Sequence, residues 1–93
     1  MIGLSLPAWD MSHMRQFVEN KLCELGALEP AQFPLTQREV IRRGKTCGFF
    51  FCLHGPRSVK LTAIADLNTQ SLVFYGSDGV RRETLLWDEI LSH

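Results

Sequence analysis

The sequence predicts one small α+β domain: an N-terminal helix followed by a four- or five-stranded antiparallel meander, flat or curled. Three observations carry this. Met11, Met14, Val18, Leu22 and Leu25 recur at steps of three and four, the spacing that gathers side chains on one stripe of a helix. After Gly44 the chain breaks into short apolar runs, and the run 58–66 alternates as a half-buried strand does. The runs are joined by turns far shorter than the crossover of roughly a dozen residues that a parallel pair requires.

The helix is expected over 11–25, with Phe17 beside its apolar stripe, Asp10 or Ser12 as N-cap and Gly26 at the C′ position. Residues 1–10 read as a flexible leader and 11–93 as the domain. Pro30 suits the start of a single helical turn at 31–33, and Pro34 forces Phe33 out of the helical region. For 36–43 two patterns compete. Thr36 with Glu39 matches a capping box, whereas Val40 and Ile41 are β-branched and Gly44-Lys45 can turn the chain, which favours a strand. Strands follow at 48–53, 58–66, 71–75 and 80–86. Gly55-Pro56, Asn68 and the Asp78-Gly79 pair mark the turns between them. The acidic end, 87–91, suits a further helical turn.

Composition narrows the function classes. The chain has 93 residues, 45% hydrophobic and 22% charged, with a formal net charge of zero, so a wholly basic nucleic-acid binder is not indicated. The charge is unevenly placed. Between Thr36 and Lys60 six cations (Arg38, Arg42, Arg43, Lys45, Arg57, Lys60) stand against Glu39 alone, a net +5. The end from Glu83 carries Glu83, Asp88 and Glu89, a net −3. Three cysteines, an odd count, and an opening without a basic n-region point to reduced thiols and a cytoplasmic address. No stretch reaches the length of a membrane span.

No catalytic, metal or cofactor constellation emerges. Cys52 and His54 share a strand face, but at that spacing their Cα atoms stand nearly 7 Å apart, roughly twice the strand rise, wider than a thiol–imidazole dyad needs. Cys47 and Cys52 fall on opposite faces of an unbroken strand, and His13, Cys23, His54 and His93 show no metal-ligand spacing. Gly76 and Gly79 read as turn residues, not as a phosphate cradle.

Binding is the better reading. Phe49, Phe51 and Leu53 point to one face of their strand, Phe50 and Cys52 to the other, and Leu72 and Phe74 oppose Val73 and Tyr75 in the same way. One helix covers one face of a sheet, so Phe50, Val73 and Tyr75 are expected at an interface with a second copy or another protein. The alternative is a nucleic-acid or anion site built from His54, Arg57 and Lys60 near the Gly55-Pro56 turn, with Arg42, Arg43 and Lys45. Aromatics on a sheet can stack bases, although Gly48-Phe49-Phe50-Phe51 lacks the alternating small residue of an RNA-recognition motif.

The stretch Cys47-Gly48, Phe51, 53–59 (LHGPRSV), 61–64 (LTAI), 74–77 (FYGS), Gly79 and Arg81 resembles a family of short, uncharacterised bacterial proteins over roughly residues 11 to 83. The resemblance implies a free-standing cytoplasmic domain and no catalytic residue. Ala65 and Arg82 stand where that pattern has aromatics.

Together these readings give a non-enzymatic interaction module without a cofactor, self-associating or accessory to another protein, with nucleic-acid binding through the basic 38–60 segment as the alternative.

Overall fold

The computed structural model describes residues 11–87. Helix α1, Met11–Gly26, is followed by strands β1 Leu35–Arg42, β2 Lys45–His54, β3 Lys60–Asp66, β4 Ser71–Tyr75 and β5 Arg81–Leu86. The five strands form one antiparallel sheet in chain order, β1-β2-β3-β4-β5. It is open: β1 and β5 are its two edges. A sheet closed on itself is therefore not what covers its second face.

The helix lies over β2 and β3. Met14, Val18, Leu22 and Cys23 are buried on the sheet, with Phe17 and Leu25 packed at the margin. The sheet answers with Phe51 and Leu53, Leu61, Ala63 and Ala65, and Leu72 and Phe74, all buried. Three alanine and leucine positions on β3 leave room for the helix, and the phenylalanines on β2 and β4 flank it. Phe17 meets Phe74 with ring centroids 6.4 Å apart and tilted by 59°, within the separation at which aromatic pairs attract. Each buried Leu or Phe contributes about 1.5–3 kcal/mol relative to exposure.

The helix ends one residue later than the glycine signal implies. Ala27, not Gly26, takes the left-handed conformation, with φ 55°. Leu28 N donates to Cys23 O at 2.8 Å and Ala27 N to Glu24 O at 3.2 Å, the paired bonds of a Schellman motif. Gly26 is there for closeness: a Cβ on it would stand 2.7 Å from Leu61 Cδ1. Ser12 lies inside the helix, and Asp10 lies outside the described residues. So do the leader expected at 1–10 and, apart from Trp87, the helical turn expected at 87–91.

The expected helical turn after Pro30 is absent. Pro30 and Ala31 form a turn with Ala31 left-handed at φ 64°, a backbone conformation that a right-handed helical turn does not accommodate. The strand reading of 36–43 holds. Its turn is Arg43-Gly44, not Gly44-Lys45, and both residues have positive φ (53° and 75°), as a two-residue type I′ hairpin requires. Cys47 forms a bulge on β2, since Val40 pairs with Gly48 and Ile41 with Thr46. The strand carrying Cys47 and Cys52 is therefore not unbroken. At the next residue a Cβ on Gly48 would stand 2.1 Å from Ala65 O, so only glycine lets β2 and β3 approach there.

Strand β3 begins at Lys60, not Ser58, because Pro56–Ser58 form a tight turn. The Asp78-Gly79 hairpin closes as expected: Gly76 N donates to Val80 O and Gly79 N to Gly76 O, both at 3.0 Å. Only Gly79 has positive φ in that loop, which makes it a three-residue loop with a glycine bulge.

Candidate functional site

The helix-free face of the sheet is ordered by strand register. One row runs Arg38, Phe50, Ile64, Val73 and Thr84 across all five strands. The neighbouring row runs Thr36, Cys52, Thr62, Tyr75 and Arg81. Phe50, Ile64, Val73 and Tyr75 are half-buried and Cys52 is buried. None of them belongs to the core beneath α1, and no described helix or strand lies over them. The parity argument thus places Phe50, Val73 and Tyr75 correctly. Ile64, an apolar residue on the otherwise polar outer side of β3, completes this row.

Cations rim this apolar centre. The Arg38 guanidinium carbon sits 5.2 Å from the Phe50 ring centroid, a cation–π distance. Arg42 borders a small hollow with Val40, Gly48 and Ile64. Lys60 pairs in register with His54, and Arg81 lies opposite Tyr75. Asp66 sets a carboxylate among these cations, and its Oδ1 accepts from Asn68 N at 2.9 Å and Thr69 N at 3.3 Å.

Between β1, β2 and β3 the face dips into a shallow concavity of about 400 Å³, bordered by Thr36, Arg38, Phe50, Cys52, His54 and Lys60. Thr36 Oγ1 donates to Cys52 O at 3.4 Å and lies 3.0 Å from His54 Nε2. Which of the two donates in the Thr36–His54 contact depends on the His54 tautomer. The His54 ring is held by Thr36 in either case, and among the described residues no hydrogen bond joins it to Cys52.

The basic residues singled out in sequence do not form one cluster. His54, Arg57 and Lys60 share one end of the sheet, with Arg57 in the turn between the paired His54 and Lys60. Arg42, Arg43 and Lys45 lie at the other end of β2, a ten-residue strand, at a distance on the order of 30 Å given strand rise. The continuous 38–60 segment folds into two antiparallel strands, which separates its ends. Arg38, between them and next to Phe50, was not singled out. Its place opposite Phe50 depends on register, which a single sequence does not state.

Of the acidic end, Glu83 is among the described residues. Lys21 Nζ lies 2.8 Å from Glu83 Oε1, so Glu83 is paired with α1 within the chain and not with the basic segment. Cys23, Cys47 and Cys52 are free thiols. Burial pushes the Cys23 thiol above its ordinary value. Among the described residues no group of three His, Cys, Asp or Glu converges as a metal site would require, and no helix is long and apolar enough to cross a membrane. Compared with known families, curated proteins and solved structures, the chain has no match.

Proposed function

We propose that the protein is a non-enzymatic interaction module whose working surface is the outer face of the sheet, a face that either a second copy or another molecule would cover. One observation carries the reading: Phe50, Ile64 and Val73, with Tyr75 beside them, form an apolar strip across β2, β3 and β4 with no described element over it. Apolar area left in water forgoes about 25 cal/mol per Å², and contiguous apolar patches on soluble domains mark places where something is bound. The three free thiols fit a cytoplasmic setting for such a module.

The test is Val73→Lys, with Leu72→Lys as its counterpart on the helix side. On an open face, Val73→Lys lowers the melting temperature by less than about 4–8 °C, the shift for roughly 1 kcal/mol in a domain of this size. Leu72→Lys buries a charge in the core and abolishes the folding transition. A loss for Val73→Lys as large as for Leu72→Lys contradicts the reading, because the face would then be covered from within the chain.

A further inference from the structure

We infer that the molecule bound on the outer face is a single-stranded nucleic acid. The inference rests on the preceding reading and adds the class of ligand. Its first support is charge. Arg38, Arg42, Lys60 and Arg81 surround the apolar strip, and these four cations outnumber Asp66, the carboxylate among them. A twofold dimer through this face would bring each cation rim against its own copy, and like charges juxtaposed across an interface oppose association. A polyanion meets the same rim with the complementary sign.

The second support is the arrangement of planar groups. The Phe50 ring with the Arg38 guanidinium over it, and the Tyr75 ring two strands away, present flat surfaces on an open sheet. Unpaired bases stack on aromatic rings and on guanidinium planes without demanding a particular sequence. Phe50, capped by Arg38, and Tyr75 stand on the order of 12 Å apart by strand spacing and rise, so a base on the Arg38 guanidinium and another on the Tyr75 ring would be joined by backbone crossing the strip. The concavity of about 400 Å³ beside Phe50 supplies the phosphate seat: Lys60 and Arg38 border it with their positive charges. A duplex keeps its bases stacked inside and offers this shallow face only phosphates, so single strands are preferred.

The experiment uses the full chain and fluorescence anisotropy with fluorescein-labelled oligo(dT), oligo(U), a duplex of equal length and labelled heparin, a polyanion without bases. Both single strands are expected to bind at low salt and more tightly than the duplex or heparin. Log K should fall with log salt at about −0.7 per neutralised phosphate. Phe50→Leu, which keeps apolar bulk and removes the ring, weakens binding about tenfold with an unchanged melting curve. Arg38→Gln lowers the salt slope by about 0.7, and Arg43→Gln at the distant hairpin tip changes affinity by less than about twofold. Equal affinity for heparin and no effect of Phe50→Leu would overturn the inference in favour of plain polyanion binding. Absence of binding at low ionic strength would also overturn it. If Val73→Lys is meanwhile well tolerated, the open face stands and only the ligand class falls; if Val73→Lys unfolds the chain, both fall.

Discussion

Lys21 Nζ on α1 and Glu83 Oε1 on the edge strand β5 lie 2.8 Å apart. The pair ties the helix to the sheet edge. The hydrogen bond to Glu83 raises the Lys21 ammonium above its ordinary value of 10.5, outweighing the opposite effect of burial. A raised folded-state value means that the pair's contribution is fully present below 10.5 and is lost as pH climbs through the folded value. Both side chains are partly exposed, so the contribution is about 0.5–1 kcal/mol. Urea unfolding from neutral into alkaline pH should show Lys21→Met less stable than the parent at neutral pH, with the difference closing at high pH. A constant difference would deny the pair this role.

Ala27 occupies the left-handed C′ position of α1. An L-residue there is disfavoured by roughly 1–2 kcal/mol, and glycine is not. Ala27→Gly is therefore expected to stabilise the protein by about 0.5–1 kcal/mol, read from the urea midpoint. Destabilisation would mean that the Schellman geometry is wrong.

The turn between β2 and β3 holds two non-glycine residues in left-handed backbone, Arg57 at φ 56° and Ser58 at φ 65°. Val59 N donates to Pro56 O at 3.0 Å, so Arg57-Ser58 occupy the central positions where Asn-Gly is preferred. Replacing both, as Arg57→Asn with Ser58→Gly, should raise stability by about 1 kcal/mol. A lowered melting temperature would indicate that the Arg57 side chain holds the turn by contacts that outweigh the backbone strain.

Leu22 is fully buried against the sheet, and Leu22→Ala should cost about 2–4 kcal/mol. Gly48→Ala should cost about 2–3 kcal/mol by a different route, because its Cβ would meet the Ala65 carbonyl at 2.1 Å. Measured losses below about 0.5 kcal/mol, typical of surface positions, would displace the helix stripe or the bulge.

The fold was legible where periodicity is strong. The steps of three and four from Met14 to Leu22 and the alternation across β3 need no tertiary information to be read. What escaped was local chirality and register. Gly26 looked like the helix stop, yet its neighbour Ala27 takes the left-handed position while Gly26 is held against Leu61, a contact formed only in the folded chain. The Cys47 bulge leaves no signature in composition, and it decides which residues of β2 stand opposite β1. The same applies to the site. The outward position of Phe50, Val73 and Tyr75 follows from parity, whereas Arg38 over Phe50 follows from pairing of β1 with β2. A linear run of positive charge suggested one basic cluster, and the hairpin drew it out along the full length of a strand.

The openness of the outer face is tested most directly by methyl NMR of the dilute full chain with a soluble paramagnetic probe. Ile64 and Val73 point outward, while Leu61 and Leu72 on the same strands are buried under α1. The expected result is strong broadening of the Ile64 and Val73 methyl signals with those of Leu61 and Leu72 unaffected. Equal protection of all four residues would contradict an open face and would assign the strip to a second, covered core.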